Sequence, residues 1–308
     1  MRIQKRDEEI FRAIFENEGV LAKRQIHSMF WLGKSWRAME QRLSKLFKAG
    51  YIDWPSTKQR KEHPIPEPVC WLGLKGIAHI SGEHGIYVEP PQNEGEYQLR
   101  KYQRNLRTNG IRWVRFPRWS LLRHDIAVVD YRIALEESVK ELSSISIERW
   151  LPESAFRSDM DVVAYTILDR AGKVKHSKKG VCPDAYCEII DKEREMRGER
   201  HRARLLLELD MATHDNLRFG REKIAPGVAY IKSPAYKARF DKNSGIWLVI
   251  TFGGNRRLEN LMRQAEKIAD QNSGLFLFST LDKISEGNIL TTPIWQKVGE
   301  SQSRSILG

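Results

Sequence analysis

Short apolar stripes separated by breaks organise the N-terminal part of the chain. Ile10, Phe11, Ile14 and Phe15 recur at helical spacing, which predicts a first helix with one buried face. Asp7, Glu8 and Glu9 fall in its first turn, where the helix dipole favours negative charge. Glu18-Gly19 interrupts the pattern, and Lys23–Phe30 predicts a second short helix with Ile26, Met29 and Phe30 turned inward. Trp36, Met39, Leu43, Leu46 and Phe47 give a half-buried third helix over 34–48, closed by Ala49-Gly50. Tyr51-Ile52-Asp53-Trp54 and Val69-Cys70-Trp71-Leu72 read as strands around a polar, Pro-rich loop, 55–68, and 74–80 closes the unit.

That order predicts a winged helix-turn-helix over 1–82. The outer face of the third helix carries Ser35, Arg37, Ala38, Gln41, Arg42 and Lys45. In such a fold the second helix of the pair enters the major groove, and Arg and Gln are side chains that read guanine and adenine bidentately. Lys58, Arg60 and Lys61, near the start of the loop, suit phosphate contacts. The alternative is a small three-helix domain whose charges are merely solvated, or which binds protein.

Beyond it, 83–120 reads as a linker followed by a basic, aromatic segment. Pro90, Pro91, Asn93 and Gly95 punctuate 81–97. From Gln98 to Arg123 the cations Arg100, Lys101, Arg104, Arg107, Arg112, Arg115, Arg118 and Arg123 occur without an acid, interleaved with Tyr102, Trp113, Phe116 and Trp119. Two readings stand side by side: phosphate contact with stacking, with Arg112, Arg115 and Arg118 as candidates, or a connector whose aromatics pack internally. Over 121–300 the pattern predicts a mixed-sheet α/β domain. It has a helix over 121–141, then strands at 145–150, Asp161–Leu168 and 181–190, with a turn Asp169-Arg170-Ala171-Gly172 and a basic loop 173–179. An apolar strand follows at 203–211, a helix within 221–230 bent at Pro226-Gly227, a strand at 245–252, a helix over 255–271 and a strand at 275–279. The tail, 301–308, is expected to fray.

Composition sharpens the picture. The 308 residues suffice for two cores, and 41% apolar with 30% charged is ordinary globular protein. A net charge of +12 and a sequence pI near 9.6 favour a polyanionic partner. Cys70, Cys182 and Cys187 form neither a disulfide framework nor a zinc-ligand spacing. No stretch approaches the ~20 apolar residues of a membrane span and no apolar signal segment is present, so no membrane partner and a cytoplasmic location are expected. His214 beside Asp215 reads as a turn or capping pair, and no Walker or dinucleotide motif occurs.

The sharpest chemistry is acidic. Glu208 and Asp210, two apart on a strand, share a face, and an adjacent 181–190 strand would bring Asp184 to them. Clustered carboxylates repel unless a cation is present, and Mg²⁺ binds through one or two carboxylates plus phosphate oxygens. Pro183-Asp184, followed by an acid in an apolar strand, resembles the PD-(D/E)XK nuclease fold. That pattern places a lysine two residues after the second acid; Asp210 stands there, and Lys223 in the next helix is the candidate amine. The catalytic set under this resemblance is therefore Asp184, Glu208, Asp210 and Lys223, with Asp184, Glu208 and Asp210 on the metal.

The whole order of features resembles the replication-relaxation family of plasmids and other mobile elements. The resemblance spans roughly residues 7–255 and rests on Leu122-Arg123-His124-Asp125-Ile126, Trp150-Leu151-Pro152-Glu153, Pro183-Asp184-Ala185, Glu208-Leu209-Asp210-x-x-Thr213 and Lys223 with Tyr230. It implies a role in plasmid replication or DNA relaxation and supports DNA binding more than cutting. Three functions follow: a duplex-DNA-binding protein, acting as a homodimer or with other replication or transposition proteins; a Mg²⁺-dependent endonuclease or nickase; or a winged-helix transcriptional regulator without catalysis.

Overall fold

The computed structural model describes residues 1–168, 173–213, 215–284 and 287–307. The chain divides into two units, Met1–Asp130 and Tyr131–Gly308, and is a mixture of helices and mixed sheets. The expected turn Asp169-Arg170-Ala171-Gly172 and His214 lie outside the described residues.

In the first unit, α1 (Lys5–Glu16) buries Ile10, Phe11 and Ile14 completely, each apolar side chain contributing roughly 1.5–3 kcal/mol. Next come β1 (Val20–Ala22), α2 (Lys23–Phe30), α3 (Trp36–Lys48), β2 (Ile52–Asp53), α4 (Thr57–Glu62), β3 (Val69–Leu72), α5 (Leu74–Glu83) and α6 (Glu96–Thr108). The strands form an antiparallel sheet in the order β1-β3-β2, with Val20 opposite Trp71 and Ile52 opposite Leu72. β1 was not expected, because three residues carry no periodicity until β3 pairs with them. The loop 55–68 also contains an unexpected element, α4, nucleated by the reciprocal Ser56 and Gln59 capping bonds. Residues 81–83 and 96–97, expected in a linker, belong to α5 and α6.

α7 (Leu122–Lys140) spans the division between the units. In its first half Leu122 and Ile126 join Val20, Val69 and Trp71 in one apolar cluster. Gln25, buried on α2, donates to the Ile126 carbonyl at 2.8 Å and accepts from Ala22 N at 2.9 Å.

The second unit contains β4 (Ile145–Pro152), α8 (Glu153–Ser158), β5 (Asp161–Leu168), β6 (Val174–Val181), β7 (Ala185–Asp191), α9 (Lys192–Met196) and β8 (Arg202–Asp210). It continues with α10 (Asn216–Phe219), a π-turn at Gly220–Ile224, α11 (Ala225–Lys232), α12 (Pro234–Phe240), β9 (Ile246–Thr251), α13 (Gly254–Ala269), β10 (Phe276–Thr280) and α14 (Leu281–Ile284). The central sheet runs β10-β9-β8-β7-β4. β8, β9 and β10 are parallel, and β7 and β4 pair antiparallel to close the far side. Parallel neighbours need crossovers; the helical segments between β8 and β9, and α13 between β9 and β10, supply them. One sheet face buries Tyr186, Leu206, Trp247, Val249, Phe276 and Phe278 against Tyr230 and Ile231 of α11 and Leu258 and Leu261 of α13.

Several expectations need correcting. The basic segment 173–179 is a strand, β6, because it pairs residue for residue with β5. The strand expected at 181–190 is split: Val181 ends β6, and Asp184 precedes β7. The helix expected within 221–230 is part of a continuous run from Asn216 to Lys232; Pro226 follows the π-turn, and the Glu222 carbonyl four residues before it accepts from Lys179 Nζ at 2.8 Å. The tail does not fray through Leu307: Arg304 N donates to the Trp295 carbonyl at 2.7 Å, and Ile306 and Leu307 N to that of Leu290 at 3.0 Å. Leu290 and Trp295 are fully buried.

Candidate functional site

The third helix holds its inward residues as the stripe predicts, with Met39, Leu43 and Leu46 fully buried. Trp36 is the exception, 43% exposed beside His27. Ser35 does not face outward as a free hydroxyl; its Oγ accepts from Ala38 N at 3.4 Å and caps α3. Arg37, Gln41 and Lys45 are exposed on one face, and none forms an ion pair among the described residues. Arg42 departs from that set. Its Nε donates to Asp7 Oδ1 at 2.8 Å, and Asp7 is fully buried, so this cation neutralises an interior carboxylate of α1. On α4, Lys58 lies 3.7 Å from Glu62, Arg60 Nε donates to the Pro55 carbonyl at 3.1 Å, and Lys61 is exposed.

Part of the Arg-rich segment is paired with acids. Arg115 reaches Glu96 at 2.7 Å, Arg112 pairs with Glu18, and Arg118 Nε donates to the buried Asp125 at 3.1 Å. Its aromatics pack internally. Trp113 Nε1 donates to the Leu72 carbonyl at 2.9 Å and its ring meets Tyr102 edge-on. Trp119 stacks on His63 at 4.8 Å. Only Phe116 among the four is exposed. Tyr102, Trp113 and Trp119 thus pack as the connector reading expects, and Arg112, Arg115 and Arg118 are each paired with an acid.

In the second unit the acidic residues separate into two arrangements. Ala185 pairs with Leu207, and one step further along this register Asp184 stands across from Glu208. Asp184 N donates to the Leu207 carbonyl at 2.9 Å, and its Oδ2 accepts from Leu209 N at 2.6 Å. Glu208, 5% exposed, receives the Lys223 ammonium at 2.6 Å on Oε1 and 2.8 Å on Oε2. Lys223 comes from the π-turn, a local widening that is frequent at functional sites. Burial disfavours its charge, but Glu208 and then Asp184 outweigh that and hold the ammonium above its ordinary range. Asp210 does not join them. Its carboxylate accepts from Arg257 Nε at 2.8 Å and Nη2 at 2.9 Å, and from Thr251 Oγ1 at 2.8 Å. The three-carboxylate cluster expected from the sequence is thus a pair plus an acid sequestered by Arg257. Among the described residues no group of three or more His, Cys, Asp or Glu could hold a metal.

Glu208 and Lys223 open onto a cavity of about 130 Å³ bounded also by Lys179, Val181, Cys182, Glu222, Trp247 and Phe276. It lies over the sheet face, against Glu208 of β8, its neighbour Val249 on β9, and Trp247 and Phe276 near the amino ends of β9 and β10. Lys179 is pushed below the ordinary lysine range by burial, opposed by Glu222 and reinforced by Lys223. The Cys182 thiol is pushed up to about 11, by burial first and then by Glu153. Each of its two lysines is met by an acid, Lys223 by Glu208 and Lys179 by Glu222 at 3.5 Å. Sequence reasoning missed Lys179 and Arg257, since only the fold brings Arg257 to an acid 47 positions away.

Compared with family models, curated proteins and solved structures, the chain matches none. No helix among the described residues is long and apolar enough to cross a membrane.

Proposed function

We propose that the chain is a duplex-DNA-binding protein of the replication-relaxation type, serving a plasmid or related mobile element. On this reading the first unit is a winged helix and the second a PD-(D/E)XK-like module. The observation that carries it is the outer face of α3. Arg37, Gln41 and Lys45 stand exposed and unpaired at successive helical turns, immediately after the shorter α2. Unpaired Arg and Gln on an exposed helix face match base-edge chemistry, and the net charge of +12 supplies the long-range attraction.

A second reading, metal-dependent cleavage, is favoured by one further observation: Lys223 lies against Glu208 with Asp184 across the strand register. The donors fit Mg²⁺ only as a two-carboxylate set, Asp184 and Glu208, because Asp210 is held by Arg257. When bound, the ion would neutralise charge developing on a phosphodiester. Asp184 and Glu208 would hold the ion, and Lys223, against Glu208, would supply the second positive charge.

One gel separates the two. Purified protein is mixed with supercoiled plasmid in Mg²⁺ or Mn²⁺ against EDTA. A mobility shift with intact plasmid in both buffers is the outcome for a binding protein. Metal-dependent nicking that disappears in Asp184→Ala establishes the nuclease.

A further inference from the structure

α6 buries one side and leaves the other to solvent. Tyr102 and Leu106 are buried, the Tyr102 ring meets Trp113 edge-on, and Gln103 Nε2 donates to the Trp113 carbonyl at 2.8 Å. Trp113 Nε1 in turn donates to the carbonyl of Leu72, the last residue of β3, so the helix is tied to the antiparallel sheet of the first unit. At its start, Glu96 takes both Arg100 and Arg115 at 2.7 Å. At its end, the chain turns at Gly110, whose φ is +84°, and Ile111 N donates back to the Leu106 carbonyl at 2.9 Å.

The solvent side has its own pattern. Tyr97, Lys101, Arg104 and Thr108 recur at i, i+4, i+7 and i+11, which is one stripe of an α-helix, and Arg100 and Arg107 flank it. All six are exposed. Arg100 is held by Glu96, but Lys101, Arg104 and Arg107 form no ion pair among the described residues. From Tyr97 to His124 the sequence contains no acid. Arg100, Arg112, Arg115 and Arg118 each meet a carboxylate, whereas these three cations, within two turns of one helix, do not.

We propose that Lys101, Arg104 and Arg107 of α6 are a second contact for duplex DNA, made to the sugar-phosphate backbone and not to the bases. The proposal rests on the DNA-binding reading above and adds a contact that reading does not contain. Like charges three and four apart on a helix repel one another, and phosphates that shed their counterions relieve that repulsion. Tyr97 and Thr108, at the two ends of the stripe, carry hydroxyls of the kind that hydrogen-bond phosphate oxygens. A membrane surface fits less well, because a helix lying on lipid needs an apolar face to insert, and here Tyr102 and Leu106 are already buried. A single strand also fits less well: α6 exposes one ring, Tyr97, whereas single-strand binders stack successive bases on several.

The test is fluorescence anisotropy of the full chain on labelled duplexes of unrelated sequence and on a labelled single strand, over a salt series from ~50 to ~200 mM. Lys101→Ala with Arg104→Ala and Arg107→Ala keeps good helix formers on α6. It is expected to flatten the plot of log affinity against log salt by about 2.7, at roughly 0.9 per lost phosphate contact. Duplex affinity at ~100 mM salt is expected to fall about tenfold or more, equally for every duplex sequence. Lys101→Arg with Arg104→Lys and Arg107→Lys, which keeps the charges, is expected to restore both slope and affinity. Wild-type slope and affinity in the alanine variant overturn the proposal, as does a loss confined to the single strand. Arg37→Ala with Gln41→Ala and Lys45→Ala, run in parallel, keeps the two readings distinct. Undiminished binding there, with a flattened slope in the α6 variant, overturns the α3 reading and sustains the α6 contact. Failure of the wild type to bind any duplex overturns both.

Discussion

Lys223 Nζ lies 2.6 Å from Glu208 Oε1, joining a residue of the π-turn to a strand residue fifteen positions earlier in the chain. The strand fixes the acid and the turn aims the amine. Because Glu208 is 5% exposed while Lys223 retains 38% of its side-chain surface, the two partners are not energetically equivalent. Removing the lysine strands a buried charge; removing the acid leaves a cation that water reaches.

Lys223→Met is therefore expected to cost about 2–3 kcal/mol in urea denaturation, less than the ~3–5 kcal/mol of a fully enclosed pair. Glu208→Gln added to Lys223→Met is expected to recover most of that loss. A double variant no more stable than the single one contradicts this role for the pair.

Arg42 and Arg37 occupy neighbouring turns of α3 but serve different ends. Arg42→Ala leaves the fully buried Asp7 without its guanidinium, with an expected loss of about 2–4 kcal/mol. Arg37→Ala is expected to change stability by less than about 0.5 kcal/mol, as for surface substitutions generally. Thermal melts of the two variants side by side decide it; equal melting temperatures argue against the assignment.

Gly76 marks where α5 crosses the chain after α3. A Cβ built there would stand 2.0 Å from the Tyr51 carbonyl oxygen, a backbone atom that cannot rotate away. Gly76→Ala is expected to destabilise the first unit by about 3 kcal/mol or more, although the same change in an exposed helix would help. Chemical denaturation of the variant measures this directly.

The three thiols set an alkaline limit. Burial pushes Cys70 and Cys187 up to about 12, and Cys182 to about 11. An acid whose folded pKa is raised leaves stability intact below its unfolded value, here 9.0, and erodes it as pH climbs toward the folded value. Stability is expected to fall between about pH 9 and 12 through these groups, and Cys70→Ala or Cys187→Ala to shallow that fall. At pH 8 a thiol reagent is expected to titrate none of the three rapidly until denaturant is added.

What the sequence made legible follows from range. The α3 stripe is a local pattern, and Met39, Leu43 and Leu46 are buried as it requires; the apolar run through Leu205, Leu206 and Leu207 announced its strand in the same way. β6 was hidden because Lys173-Val174-Lys175-His176-Ser177-Lys178-Lys179 has no apolar alternation, and its extended form comes from pairing with β5. β1 escaped for the same reason, its partner lying near Trp71. At the acidic site, the spacing of Glu208 and Asp210 fixed a shared face but not their partners. Arg257 takes one and Lys223 the other, and those choices belong to the three-dimensional crossovers. The basic segment behaved likewise: of eight cations close together in sequence, Glu18, Glu96 and Asp125 claim four, Arg100, Arg112, Arg115 and Arg118.

The central claim, that α3 reads duplex DNA, is tested most directly by duplex affinity of the full chain before and after Arg37→Ala with Gln41→Ala and Lys45→Ala. The expected result is an affinity loss of about 30-fold or more on a preferred sequence, at ~1–3 kcal/mol per lost base-reading contact, with an unchanged melting temperature. Affinity equal to wild type, or wild-type binding that ignores salt, contradicts it.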